Sequence, residues 1–431
     1  MRWPIVAVAA VAATPGLAAA AELDAPLRQA LSQVSPDQEV AVIVIHRNTG
    51  LLDRFPGGAQ LRKELRLRAD RDLPELEQRL RGRGATLFRR LWTINGVATR
   101  LPASAIQELA NDPSVAEIRL DATVQEPQAT YESGAVAPEW NIAMVRAPDL
   151  WAQGHFGKGV TVAVMDTGID RFHPELAGKW RGGGNSWFDP SGQHSQPSDN
   201  SGHGTHVASI VLGGRDGAPA IGMAPQARWI GAKIFNDSGQ GSLSGIHASF
   251  QWLLDPDDDP ATDDAPQVVV ASWNLNGTTN VCATEFAQDI ALLRQAGIAM
   301  VFSAGNTGPG PNTSVSPANN AGAFPVGAVA QGAVVSPESG RGVSACGGGL
   351  YPAVAAPGVS VRVADLTYDG VFPDSYAVVS GTSFAAPHVA GAMALLTGAR
   401  GNATAETLEA ALTKAATDTS TSGADNDSGH G

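Results

Sequence analysis

Two cysteines, Cys282 and Cys346, are all that the 431-residue sequence contains. A small scaffold stapled by several disulfides is therefore excluded, and a single bridge is the most that can form. Long apolar runs are scarce as well. Beyond the first two dozen residues no stretch reaches the roughly 18 uninterrupted apolar residues of a membrane span. The opening "MRWPIVAVAAVAATPGLAAAAELD" is apolar but broken by Pro15 and Gly16. A basic residue, an apolar run and then small residues make it a secretory signal peptide, assigned to residues 1–21. The expected product is secreted, extracellular or periplasmic, with no membrane span. Positive charge is in short supply too. The 29 Lys and Arg face 42 Asp and Glu, for a formal net charge of −13. The deficit lies wholly after Glu132, where 26 acidic residues stand against 13 basic ones. Such an acidic main unit argues against a nucleic-acid partner.

Other signatures are incomplete. His203 and His206 stand at a helical spacing that suits a metal, but no glutamate completes a zincin pattern. Gly157 and Gly159 precede a strand, whereas a dinucleotide loop follows one. The acidic stretch "DPDDDPATDDAP" (255–266) lacks the glycine and terminal glutamate of an EF-hand and reads as a solvated surface loop.

What is there divides into two pieces. In residues 22–130, "EVAVIVIHR" reads as a strand and "QLRKELRLRADRDLPELEQRLRGRG" as a charged amphipathic helix. "ATLFRRLW" and "INGVATRL" follow as strands, then "PASAIQELAND" as a helix and "SVAEIRL" as a strand. This β-α-β-β-α-β order is the split βαβ, or ferredoxin-like, α+β arrangement. A polar stretch, "DATVQEPQATYESGAVAPEW", reads as a linker. In residues 131–431, "GVTVAVMD", "ARWIGAKIF", "QVVVASW" and "GIAMVFSAGN" are nearly continuous apolar runs, as in strands of a parallel sheet buried on both faces. Helical stretches alternate with them. The fold expected is α/β, a doubly wound, mostly parallel sheet.

Ligands of such folds sit beyond the carboxyl ends of the strands. Asp166 ends the first strand, His203 opens the helix at "SGHGTHVAS", Asn306 follows the strand "IAMVFS", and Ser383 heads the small-residue helix "SFAAPHVAGAMALL". Each alone has a bland reading as a cap or a satisfied polar residue. Together they fit nucleophilic catalysis. An acid orients an imidazole, the imidazole deprotonates a hydroxyl, and an amide receives the developing oxyanion.

The blocks "VMDTGID", "GHGTHVAS", "SAGN" and "SGTSFAAPHVAG", in this order, resemble the signature blocks of the subtilisin family of serine peptidases. The segments "SAGNTGPG" and "YPAVAAPGV" resemble its bacillopeptidase F-like branch. The resemblance implies a triad of Asp166, His203 and Ser383, with Asn306 and the Ser383 backbone N–H as oxyanion hole. "NGVATRLPASAIQELANDPSVAEI" is similar to the family's inhibitory propeptide, which makes residues 22–130 an intramolecular inhibitor and 131–431 the peptidase domain. "SGQGSL" and "SWNLNG" match two edge segments that clamp an extended peptide. Gly239, Gly241, Ser272, Trp273 and Asn274 are thereby expected at a protein or peptide substrate, with Asn274 departing from the family's glycine. No cofactor is expected for the chemistry. The family's calcium-ligand aspartate aligns with Glu175, which leaves room for a structural calcium ion, with help from Asp216. Cys282 and Cys346, in two loops near the catalytic edge of an exported chain, are expected to pair. The rival class is a non-catalytic binding protein on the same scaffold, against which the intact set of four residues argues. A monomer, made as a self-processing zymogen, is the expectation.

Overall fold

A computed structural model describes residues 20–47, 57–131, 140–215, 220–401, 403–419 and 422–431. The expected signal peptide, residues 1–21, lies outside the described residues except for its last two.

The N-terminal unit has the expected order. Its sheet runs Glu22–Leu23, Val115–Leu120, Glu39–His46, Gly96–Pro102, Thr86–Leu91. Without the short Glu22–Leu23 strand, which adds in parallel to the outer edge, this is the strand arrangement of a ferredoxin-like split βαβ. Helix Ala59–Gly82 buries Leu61, Leu65, Ala69, Leu73, Leu76 and Leu80, a stripe at three- and four-residue spacing laid against the sheet.

The larger unit is an α/β sheet ordered Val334–Val335, Phe324–Ala330, Ala299–Ser303, Val268–Ala271, Thr161–Asp166, Arg228–Lys233, Trp187–Phe188. Val354–Pro357 also joins Phe324–Ala330, in parallel. Every pairing is parallel except that of Val334–Val335. Val268–Ala271 and Ala299–Ser303 are buried at every position, which is why their sequences do not alternate. Thr161–Asp166 lies between Arg228–Lys233 on one side and Val268–Ala271 on the other. The chain winds outward from it in both directions, so its carboxyl end is the topological switch point. Helix Thr382–Arg400 runs through the core and packs on His203–Leu212.

Several elements have no counterpart in the sequence reading. They are Phe324–Ala330, the hairpin Val361–Ala364/Tyr376–Ser380, and the helix Ala405–Ala415. The expected linker is not free either. Thr123–Gln125 pairs antiparallel with Gln240–Ser242, and Thr130–Tyr131 with Val379–Ser380; residues 132–139 lie outside the described residues. Cys282 and Cys346 are bonded, with Cα atoms 4.9 Å apart. Closing a loop of 64 residues is worth about 4 kcal/mol on the chain-entropy account.

The two units share one continuous apolar cluster, which joins Trp92, Ile94 and Val124 to Leu243, Phe250 and Trp252, and they also meet through polar contacts. Asp121 accepts from the N–H and hydroxyl of Ser244 (2.8 and 2.6 Å), placing a carboxylate at the positive end of helix Leu243–Leu254. Gln251 accepts from the Trp92 N–H. His247 is buried between Asp289 (Nδ1, 2.7 Å) and Glu285 (Nε2, 2.8 Å). Thr93 of the N-terminal unit donates to Asp289, and its Arg119 reaches Glu285 at 3.3 Å. Two carboxylates can only accept, so both ring nitrogens donate and His247 is an imidazolium. Burial alone would lower its pKa, but the charge and hydrogen bond of Asp289, joined by Glu285, push it up to about 9. A histidine pKa raised by folding stabilises fully below the unfolded value of 6.5, and that contribution is lost as pH rises through about 9. The urea midpoint of the full chain is therefore expected to fall across this window. His247→Gln should flatten the decline, and equal slopes for the two proteins would contradict the assignment.

Candidate active site

Asp166 sits at the switch point, 1 % exposed. Its Oδ1 accepts from the Thr167 N–H and from His203 Nδ1, both at 2.7 Å. A carboxylate must accept, so Nδ1 carries the proton and Nε2 the lone pair. His203 is the first residue of helix His203–Leu212. The next residue has to be glycine, since a Cβ on Gly204 would lie 2.1 Å from the Gly168 carbonyl oxygen and push the helix away from Asp166.

A residue that the sequence reading missed ties these parts together. The Asp199 carboxylate accepts from the Ser201 and Gly202 N–H groups, the Thr205 N–H and hydroxyl, and the Thr167 hydroxyl, at 2.7–3.0 Å. It caps the His203 helix and binds the strand end in one stroke. Burial would raise its pKa; the hydrogen bonds from Thr205 and Gly202 and the charge of Lys233 outweigh this and hold it low. An acid four residues before His203, in a Ser/Asn/Gly-rich approach to a helix, was the available signal.

Ser383 is the second residue of helix Thr382–Arg400. Its Oγ donates to the Ser272 carbonyl at 3.2 Å, and the Ser272 hydroxyl donates to the Ser383 carbonyl at 2.8 Å. Pro387 makes the second bond available. Four residues on, it has no N–H for the Ser383 carbonyl. His203 Nε2 is buried without a hydrogen-bond partner among the described residues, although its ring lies 5.5 Å from that of Phe384. The first turn of helix Thr382–Arg400 thus lies beside the imidazole through Phe384, with the Ser383 hydroxyl turned to Ser272.

Asn306 follows strand Ala299–Ser303 and is exposed. Its Oδ1 accepts from the N–H and hydroxyl of Thr382, both at 2.9 Å. Nδ2 is left facing Gly381, where a Cβ would stand 3.0 Å away and where φ is 141°. An amide N–H beside a helix N-terminus suits a developing negative charge.

The cleft edges agree in part with expectation. Gly239 and Gly241 lie on the strand edge that pairs with residues 123–126, and the Gly239 carbonyl accepts from the Glu126 N–H at 2.8 Å. On the opposite edge Trp273 can offer only its backbone to an extended peptide. Its ring is fully buried among Phe250, Phe286 and Phe302, so the side chain belongs to the core and leaves only backbone for the cleft. Asn274 donates to the neighbouring Leu275 carbonyl. It is Asn276, which was not singled out, whose Oδ1 accepts from the Gln125 N–H at 3.0 Å. Burial raises the Glu126 pKa, against a hydrogen bond from Ser201 and with help from the nearby charges of Asp166 and Asp199.

The metal expectations fare less well. Glu175 Oε1 is taken by the Tyr376 hydroxyl at 2.7 Å, with Arg215 at 3.8 Å, and Asp216 lies outside the described residues. The His203–His206 pair is divided, because His206 Nε2 bonds Asp365 at 3.0 Å. The acidic stretch is not simply solvated. Asp255 is buried, and Arg66 of the N-terminal unit bonds Asp255 and Asp258 at 2.6 and 2.5 Å.

An acid, an imidazole, a hydroxyl and an amide thus gather around the switch point of an α/β sheet. Comparison with known proteins gives the family. Residues 157–431 match the Subtilase family. Bacillopeptidase F of Bacillus subtilis (strain 168) is 31% identical over 360 residues, 75% of this chain and 24% of that protein. Subtilisin E of the same organism is 34% identical over 316 residues, 73% of each chain. The alkaline protease of Alkalihalobacillus alcalophilus is 34% identical over 305 residues, covering 70% of this chain and 69% of that one. The chain belongs to the subtilase family of serine-type endopeptidases, which need no cofactor for catalysis. It spans about a quarter of the length of bacillopeptidase F.

Burial would lower the His203 pKa, but the charge and hydrogen bond of Asp166 outweigh it and raise the value above 6.5. A protonated imidazole cannot accept the serine proton. The acid limb of kcat/KM against pH should therefore be centred above 6.5, and a limb centred below it would show that Asp166 does not carry this charge effect.

Proposed function

We propose that the chain is the precursor of an exported serine endopeptidase and that Asp166, His203 and Ser383 are its triad. The observation that carries this reading is the path of residues 123–131. They enter the cleft as a strand on Gln240–Ser242 and leave it as a strand on Val379–Ser380, passing beside His203. A chain held on both sides of Ser383 is held as a substrate is, by backbone pairing that reads extension more than side chains.

In the reaction Ser383 Oγ turns from the Ser272 carbonyl to His203 Nε2, gives up its proton there and attacks the peptide carbonyl. Asp166 keeps the imidazole in its Nδ1–H tautomer and stabilises the imidazolium. Asn306 Nδ2 and the Ser383 backbone N–H receive the oxyanion. His203 then protonates the departing amine, and water repeats the sequence on the acyl-enzyme. Residues 22–130 act as the intramolecular inhibitor, the signal peptide 1–21 directs secretion, and the enzyme works as a monomer on protein substrates.

Ser383→Ala should abolish hydrolysis and leave the purified precursor uncleaved, whereas normal maturation of that variant alone would refute self-processing. Asn306→Ala should lower kcat by about 10²–10³ with KM nearly unchanged, the cost known for removing such a donor from a subtilisin. A change confined to KM would make Asn306 a binding residue.

The scissile bond is expected between Glu126 and Thr130, the span bounded by the two pairings. N-terminal sequencing of the mature enzyme checks it. A start beyond Val160 would sever the strand of Asp166 and overturn the domain division.

A further inference from the structure

Where a structural calcium ion is expected beside Glu175, the chain places an ammonium group. Lys179 Nζ donates to three backbone carbonyls: Glu175 at 2.9 Å, Leu212 at 2.6 Å and Gly214 at 2.5 Å. We propose that Lys179 is a covalently attached replacement for a metal ion, which fastens the chain leaving the His203 helix without calcium.

The hydrogen-bond account of that helix end supports the assignment. An α-helix leaves its last four carbonyls without helical partners. Here the Ser209 carbonyl takes the Gly213 N–H, Ile210 takes Met223 and Val211 takes Ala224. The fourth, Leu212, is the last residue of the helix, and its carbonyl takes Lys179. The ammonium therefore also stands at the negative end of the helix dipole. Its hydrogens reach carbonyls drawn from two segments more than thirty residues apart.

Calcium fits the same place poorly. It asks for six to eight oxygens at about 2.3–2.6 Å, carboxylates prominent among them. Among the described residues, three carbonyls there already face the ammonium. The Glu175 carboxylate is engaged through Oε1 with the Tyr376 hydroxyl, with the Arg215 guanidinium near it. A divalent ion would have to enter beside two cations. Glu175 Oε2, buried and without a partner among the described residues, is the atom such an ion would need, and the test is aimed there.

Hydrogen exchange followed by mass spectrometry on the full chain carrying Ser383→Ala measures the site without turnover. Its outcome is thereby separate from that of the peptidase reading. Peptides spanning 171–180 and 205–214 should exchange equally in calcium chloride and in EDTA. Lys179→Met should speed exchange in the 205–214 peptide at least about tenfold, in either solution. Slower exchange of these peptides in calcium with Lys179 intact would overturn the proposal, as would unchanged exchange in Lys179→Met. Should that variant not fold, the calcium comparison on the Lys179 protein decides alone.

Discussion

Everything at the catalytic edge depends on one close approach, that of helix Thr382–Arg400 to the elements around it. A Cβ on Gly391 would lie 2.4 Å from the Cβ of Met223, and Ala385, Ala386 and Ala390 are wholly buried. Interiors are packed so tightly that one extra methylene is felt. Larger residues on this face would lift the helix from His203–Leu212 and carry its N-terminus away from the imidazole. The small-residue composition that looks featureless in sequence is thus the condition for bringing hydroxyl, amide and imidazole within reach of one another.

That composition also explains which parts could be read beforehand. Asp166, His203, Asn306 and Ser383 each stand where a buried element ends, and strands buried on both faces announce their ends clearly. The βαββαβ order of the N-terminal unit was legible for a similar reason, because the Leu61–Leu80 stripe and the turn residues mark it. Asp199 was missed because it lies in a loop without periodicity, and its donors are spread over that loop, the helix start and the end of a distant strand. Trp273 shows that a segment can border a cleft with its backbone while its side chain joins the core. Lys179 left no trace in sequence at all. Its partners are backbone carbonyls, and no residue type betrays a carbonyl.

Beside the apolar cluster that the two units share, their contact carries a set of polar bonds. Asp121 at a helix start, Gln251 on a backbone N–H, and the Thr93 and Arg119 contacts to Asp289 and Glu285 are directional bonds. When such partners separate, water can satisfy each group left behind. His247 keeps both its carboxylates on the larger unit whatever the N-terminal unit does.

Pro387 carries a consequence beyond its effect on the helix. By leaving the Ser383 carbonyl open, it lets Ser272 bond the nucleophile's backbone while the nucleophile's hydroxyl bonds Ser272 in return. The rim that borders the bound peptide and the residue that would attack it are buttoned together. A pull on that rim is transmitted to the serine as a shared displacement, so grip and aim cannot drift apart.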